Sequence, residues 1–208
     1  GAGKLLIRVT DNGPGIPQEE LMLPVSRHAT SKLARAEYLT RIRTLGFRGE
    51  ALASVGSVSR MAVESRAEDA ELGARLTVEG GRLGDLKAHG MPQGTRVTVQ
   101  DLFFNVPARL KFLKTDNTER RHIEALVTRY ALAYPDIRWE MVVDGTPSLQ
   151  TSGNGDRREV LASLYGVDIA KDMLAVDFKE DTYHIHGFIS PISLTQIGRA
   201  SCRERVCV

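Results

Sequence analysis

Apolar residues alternate with polar ones at Leu5, Ile7 and Val9, so KLLIRVT predicts a β-strand. It runs into DNGPGIP, which is turn chemistry throughout. QEELML predicts a short helix with acidic residues in its first turn, where the helix dipole favours them. After VSRHATSK, the run RAEYLTRIRTL takes helical spacing, with Tyr38, Leu39, Ile42 and Leu45 on one face. A glycine-bearing turn, GFRGEAL, then opens another helix. Period-two alternation follows in VSRMAVES, ARLTVEGGRLGDLKAH and TRVTVQDL, which predict strands joined at glycine turns. PARLKFL and the stretch from Asn117 to Tyr134 return to helical spacing, with Ile123, Leu126, Val127 and Tyr130 on one stripe. IRWEMVVDGTPSLQ predicts a hairpin turning at Asp144-Gly145. TSGNGDRRE, from Thr151 to Glu159, is small, polar and glycine-rich, as a linker or long loop should be. A short helix, REVLASLYG, and two strands, MLAVDFKE and YHIHGFIS, come after it. That last unit is too short to close its own core and reads as the beginning of a domain.

Composition changes this picture little, and charge less than it first promises. The chain has 208 residues, 42% hydrophobic and 26% charged, with a formal net charge of +2, which is ordinary for a globular protein. No apolar run approaches the ~20 residues that span a bilayer, and GAGKLLIRVTD lacks a signal peptide's pattern. A soluble protein of a reducing compartment is the expectation, with no membrane partner. Both cysteines, Cys202 and Cys207, lie at the very end. The closing stretch IGRASCRERVCV carries three arginines and one glutamate, and without it basic and acidic residues balance. GRASCRERV resembles a stray translation of adaptor or vector DNA, so residues 197–208 are expected to be non-native. The basic balance is therefore no argument for nucleic-acid binding.

Three glycine- or hydroxyl-bearing stretches carry candidate chemistry. In DNGPG, Asp11 stands at a strand's end, where a carboxylate accepts from an exocyclic amine, and Gly13 and Gly15 admit a ligand close to the backbone. A plain turn accounts for the same residues. In RHATSK, Thr30, Ser31 and Lys32 offer hydroxyls and a point charge for phosphate, though such a run is also common in loops. In GFRGEAL, the amides of Phe47 to Leu52 open a helix and form either a phosphate nest or a well-capped surface turn. No GxxxxGK[ST] pattern occurs, which excludes a Walker-type P-loop. His184 and His186 share a strand face, but no further ligand stands at suitable spacing, so no metal site is expected. Trp139, on its alternating strand, is expected in the core rather than as a stacking platform.

The order of these pieces is more specific than any one of them. DNGPG, then RHATSK, LGFRGEALASVGSVSR, and DLFFNVPARLKFLK resemble, motif by motif, the N-terminal ATPase region of the MutL mismatch-repair family. Asp-x-Gly-x-Gly alone points only to the wider class that includes gyrase B, ATP-dependent chaperones of this fold and histidine kinases. The resemblance runs from Gly3 to about Ser193. It implies that Asp11 binds the adenine amine, that Asn12 lies beside the nucleotide, and that Gly13 and Gly15 shape the pocket. It also implies that Thr30 and Lys32 line the site, and that Phe47, Arg48, Gly49, Glu50, Ala51 and Leu52 form a lid over the phosphates. Thr95, in GTRV, matches the threonine that supports adenine recognition, often through water.

The resemblance implies a Bergerat (GHKL) α/β sandwich, a mixed sheet with helices on one face, over residues 1–150. A gyrase-B-like transducer domain is expected to begin within 151–196. ATP and magnesium are the implied cofactors. DNA, a mismatch-recognition protein of the MutS type, and a second copy joined through the N-terminal regions are the implied partners. Arg109, Lys111, Lys114, Arg120 and Arg121 form a basic stretch that is either a solvated face or a set of phosphate contacts to DNA. The family's general-base glutamate and magnesium-binding asparagine belong to a helix upstream of the DNGxG strand, and this sequence begins after it. The lysine that meets the terminal phosphate is expected beyond Thr195. The longer protein is thus read as an ATPase whose closed state engages DNA, and this stretch as one lacking the means of hydrolysis. A gyrase-type ATPase and a nucleotide-independent DNA- or partner-binding module are the rival readings.

Overall fold

The computed structural model describes residues 1–25, 50–181 and 183–192, with the backbone alone of 206–207. The helix expected over RAEYLTRIRTL, the residues Thr30 and Lys32, and Phe47, Arg48 and Gly49 lie outside the described residues. The chain divides into two compact units, Gly1–Asp116 and Asn117–Val208.

The first unit is built on six strands: β1 (Leu6–Asp11), β2 (Arg60–Arg66), β3 (Gly73–Glu79), β4 (Arg82–Leu83), β5 (Lys87–His89) and β6 (Gly94–Gln100). Their order is β1-β6-β2-β3-β4, with β5 also on β3. Every pairing among the described residues is antiparallel, where a mixed sheet was expected. The cause is connection length. From β2 to β6 each strand is joined to the next by a short link, and a parallel return needs a crossover of about a dozen residues or more.

One sheet face carries the core. Met61 and Val63 from β2, Leu76 and Val78 from β3, and Val99 from β6 are buried with Leu21 and Val25. The helix α1 (Ala51–Gly56) lays Leu52 and Val55 on this cluster. Helical structure thus covers one face, as expected, although QEELML forms two 3₁₀ turns, Gln18–Glu20 and Leu23–Val25, rather than an α-helix. Fully burying a side chain such as Met61, Val63 or Leu76 contributes about 1.5–3 kcal/mol. The edge strand β1 is less covered: Leu6 and Val9 are 48% and 63% exposed.

In the second unit, α3 (Asp116–Ala133) is preceded in the chain by the one-turn α2 (Pro107–Leu110), and a hairpin of β7 (Glu140–Val143) and β8 (Thr146–Gln150) follows. Asp144 and Gly145 both take positive φ at its turn, as the Asp-Gly signal predicts. Next come α4 (Arg157–Tyr165), α5 (Val167–Asp172), β9 (Leu174–Glu180) and β10 (Tyr183–Ile189), on which β11 (Val206–Cys207) pairs. Ala131, Leu132, Leu149, Val160, Leu161, Ala170 and Met173 form its core, with Trp139 packed against them. The stripe expected on α3 is only half used. Val127 packs on the core, whereas Leu126 is 53% exposed. TSGNGDRRE is a tied-down loop: Thr151 is buried and bonds Trp139 through backbone and hydroxyl, and Asp156 caps α4 through the Arg158 amide.

At Gly94, φ 121°, an added Cβ would meet the Asp11 carbonyl oxygen at 2.1 Å. Gly94→Ala is expected to cost at least about 2 kcal/mol through strain and forced displacement. Gly90→Ala, which meets nothing within 4 Å, should stay within about 0.5 kcal/mol of wild type in the same urea titration.

Candidate functional site

Strand register lays the core-facing side chains of the sheet in rows. The first runs Ile7–Val99–Met61–Val78 and the second Val9–Val97–Val63–Leu76. The third runs Asp11–Thr95–Ser65–Ala74. Two rows are apolar throughout, and the third brings a carboxylate and two hydroxyls to the same face. Ser65 is buried and Thr95 half-buried, and such groups need partners because an unmet donor or acceptor in the interior costs free energy, while Asp11 at the row's end is exposed.

They find them in one another and in the turn that follows β1. Asp11 Oδ1 accepts from Gly13 N at 2.9 Å and from Thr95 N at 3.2 Å. Both donors fall on one oxygen, so Oδ2 has no protein partner among the described residues. Ser65 Oγ accepts from Ile16 N at 2.8 Å, donates to Gly94 O at 3.0 Å and lies 2.9 Å from Thr95 Oγ1. Gln93 Nε2 donates to Gly13 O, and Glu68 N to Pro14 O. The DNGPGIP turn is therefore held at Gly13, Pro14 and Ile16 by the ends of β2 and β6. Gly15, φ 75°, passes so near β2 that a Cβ would stand 2.1 Å from the Arg66 carbonyl oxygen.

Among the sequence-predicted residues, Asp11, Gly13, Gly15 and Thr95 are thus brought together. Asn12 is exposed beside them. Glu50, Ala51 and Leu52 stand at the start of α1, where Glu50 makes no side-chain cap and Leu52 packs into the core. Ser65, Gly94 and Gln93 were not singled out by sequence reasoning. The signal for Ser65 was present: it occupies the core-facing phase of VSRMAVES after Met61 and Val63, where a polar residue demands a reason.

The far end of α1 is anchored by two loops. Gly81 N donates to Gly56 O, Asn105 Nδ2 to Ser57 O, Phe103 N to Val58 O, and Gly80 N to Ser59 O. The Gly56 carbonyl ends the helix and those of Ser57, Val58 and Ser59 follow it, and all four are met from outside. Arg60 fastens the same corner, 2.9 Å from Glu79 and 2.6 Å from Asp101, with its guanidinium over the Phe104 ring. Its pKa is raised, first by the hydrogen bond to Asp101 and then by that to Glu79. Guanidinium is charged throughout the working range in any case, so no pH switch resides here.

The five basic residues are divided between the two units. Arg109, Lys111 and Lys114 belong to the first unit, and Arg120 and Arg121 to the second. Arg120 is paired with Asp144 in the hairpin turn, while Lys111 and Arg121 are exposed. In the second unit, His184 Nε2 lies 2.8 Å from Asp177 and the rings of His184 and His186 stack at 5.0 Å. A shallow polar hollow of about 400 Å³, lined by Arg138, Gln150, Thr151, Ser152 and Glu159, shares no residue with the Asp11 row.

No protein-family model matches the chain. It is similar to the DNA mismatch repair protein MutL of Symbiobacterium thermophilum, 45% identical over 200 residues, covering 96% of this chain and 32% of that protein. It is likewise similar to MutL of Streptococcus equi subsp. equi, 43% identical over 198 residues, covering 95% of this chain and 30% of that protein. The chain spans about a third of the length of these curated relatives. Among solved structures it resembles the Aquifex aeolicus MutL ATPase domain complexed with ADP, with TM-score 0.66 and 30% identity, covering 90% of this chain and 65% of that one. It also resembles the N-terminal domain of a DNA repair protein, with TM-score 0.72 and 25% identity, covering 91% and 59%. The class is therefore the α/β sandwich of GHKL-type ATPase domains. Within that class the chain belongs to the MutL family of DNA mismatch repair proteins, in their N-terminal ATPase region.

Removing the Asn105 amide should loosen the anchored end of α1. Asn105→Ala is expected to lower stability by about 1 kcal/mol and to speed hydrogen exchange at the Ser54, Ser57 and Val58 amides. Asn105→Asp, similar in shape but without the donor, should do at least as much. Unchanged exchange in both variants would assign the anchoring to the backbone bonds alone.

Proposed function

We propose that this stretch binds ATP, with the adenine amine donating to Asp11 Oδ2 at the end of the Asp11–Thr95–Ser65 row. The observation that carries this is the division of labour on the carboxylate. Oδ1 is filled by two backbone amides, so the side chain is held while Oδ2 keeps its acceptor capacity for a ligand. Asn12, Gly13 and Gly15 bound the same corner, and Thr95 stands beside Asp11 in register. Thr30, Lys32 and the lid residues Phe47, Arg48, Gly49, Glu50, Ala51 and Leu52 are assigned to the phosphates on the family resemblance. The likeness to an ADP-complexed MutL ATPase domain supports the assignment.

In the longer protein, nucleotide orders the lid, two N-terminal regions dimerise, and the closed clamp engages DNA and a mismatch-recognition protein of the MutS type in the bacterial cytoplasm. The drive is differential contact: a lid that touches phosphate only when closed shifts the equilibrium toward the closed state. Hydrolysis is assigned to the longer protein on the family resemblance. Magnesium is assigned to the longer protein on the same resemblance. No described helix is long and apolar enough to cross a membrane. Lys111, Lys114 and Arg121 are the basic side chains assigned to DNA phosphate, with Arg109 beside them in sequence.

Titration calorimetry with ATP tests the site through Asp11→Asn. The asparagine oxygen can still accept from Gly13 N and Thr95 N, but its amide now turns donors toward the base. Affinity should fall at least about tenfold, the scale of a lost charge-assisted hydrogen bond, with the melting temperature little changed. Equal affinity in both proteins would refute the adenine assignment, and binding of DNA without any binding of ATP would favour the nucleotide-independent module.

DNA binding has its own signature. Charge reversal at Lys111, Lys114 and Arg121 should flatten the dependence of log affinity on log salt by about 0.9 for each phosphate no longer neutralised. Arg120→Ala should instead lower stability, because its partner is Asp144.

A further inference from the structure

The hydrogen bonds around Ser65 fix a direction that the sequence does not reveal. Ser65 is 1% exposed, and its hydroxyl has one proton and two acceptor sites. Three groups surround its oxygen: the Ile16 amide at 2.8 Å, the Gly94 carbonyl at 3.0 Å and the Thr95 hydroxyl at 2.9 Å. An amide only donates and a carbonyl only accepts. The arrangement that satisfies all three therefore sends the Ser65 proton to Gly94 O and receives protons from Ile16 N and from Thr95. The alternative, Ser65 donating to Thr95, leaves the buried Gly94 carbonyl without its hydroxyl donor. The half-buried Thr95 hydroxyl would then merely turn elsewhere. Burial makes the fully satisfied arrangement the favoured one.

Thr95 has then no proton to offer outward. Its oxygen retains only acceptor capacity on the side away from Ser65, and its neighbour in the row is Asp11 with the open Oδ2. The row as a whole presents acceptors and no donor. Adenine carries a donating exocyclic amine where guanine carries an accepting carbonyl oxygen. An all-acceptor row attracts the first and repels the second.

We propose that Ser65 is a positioning residue for base selection: by accepting the Thr95 hydroxyl hydrogen bond it keeps the row free of donors and holds the site to a base that carries an amine at C6, where guanine carries a carbonyl. This rests on the nucleotide reading above and goes beyond it, since Ser65 touches no ligand and acts through Thr95. Removing the Ser65 hydroxyl releases the Thr95 proton, which can then turn to a guanine O6.

The test is equilibrium binding of ADP and GDP to the full chain and to Ser65→Ala, Thr95→Val and the double variant. Wild type should prefer ADP, and Ser65→Ala should narrow the ADP-to-GDP affinity ratio about fivefold, the scale of one neutral hydrogen bond gained by GDP. On the Thr95→Val background, Ser65→Ala should leave the ratio where Thr95→Val put it, because the residue it acts through is gone. A proportional loss of both affinities in Ser65→Ala would show a merely structural role and overturn the inference while leaving the nucleotide site intact. Absence of ADP binding to wild type would overturn the nucleotide reading and this inference with it. Should Ser65→Ala fail to fold, Ser65→Cys, whose thiol fills the space but is a weak acceptor, should narrow the ratio in the same sense, and an unchanged ratio in a folded Ser65→Cys would count against the proposal.

Discussion

At the end of β1 the chain passes so close to two other strands that only hydrogen atoms fit at Gly15 and Gly94. The polar row depends on this crowding. It brings the Thr95 amide within reach of Asp11 Oδ1 and the Ile16 amide within reach of Ser65. A side chain at either glycine would push apart the groups whose mutual hydrogen bonds let a carboxylate and two hydroxyls occupy the core-facing side of the sheet. The interior tolerates such groups only when they are met. Close packing and polar satisfaction are here one condition, and the open oxygen of Asp11 is its by-product. The carboxylate is anchored by one oxygen, which holds the other in a defined place.

The sequence disclosed this arrangement unevenly, and the reason is locality. Asp11, Gly13 and Gly15 were legible because turn chemistry after a strand is written in consecutive residues. The hairpin at Asp144-Gly145 and the strand phases of β2, β3 and β6 were legible for the same reason. Ser65 was not: its partners lie 29, 30 and 49 residues away in the chain, and no local pattern reports them. The helix α3 shows the same limit in apolar form. Its periodicity announces a helix, but not which part of the stripe another element will cover, so Val127 packs while Leu126 faces solvent. The expected mixed sheet failed for want of counting connections, since the short links from β2 to β6 leave only antiparallel returns.

Charge required the same separation of local from distant. The basic stretch reads as one patch because Arg109, Lys111, Lys114, Arg120 and Arg121 are near in sequence, yet they belong to two compact units. Arg120 is engaged by Asp144. A paired guanidinium has less to give a phosphate than an exposed lysine, because the new contact must replace an existing one. Similarly Glu64, nearly buried on the opposite face of β2, is ringed by Arg75, Arg96 and His89. The two guanidinium groups compensate a desolvated carboxylate, and their number does not measure an attraction for polyanions.

The motif DLFFNVPAR acquires a physical role that its resemblance alone does not explain. Asp101 and Phe103 both take positive φ, a conformation that is strained for a side chain as large as phenylalanine. The strain is held by Leu5, Lys4 and Val58 carbonyls, which accept from the Asp101, Leu102 and Phe103 amides. In return the loop presents Phe103 N and Asn105 Nδ2 to the carbonyls that end α1, and Arg60 ties Asp101 to Glu79 across β2 and β3. A helix of six residues cannot hold its own shape in water, because nucleation is unfavourable over so few bonds. α1 therefore keeps its form through contacts at its far end and through Leu52 and Val55 in the core. Whatever the residues before Ala51 do with a nucleotide, they do it from a helix whose position is set by the loop at 101–106, immediately ahead of the basic segment from Arg109 to Lys114. Of the two stretches that mark the family, DLFFNVPAR thus fixes the position of α1, whose first residues, Ala51 and Leu52, are the last two of GFRGEAL.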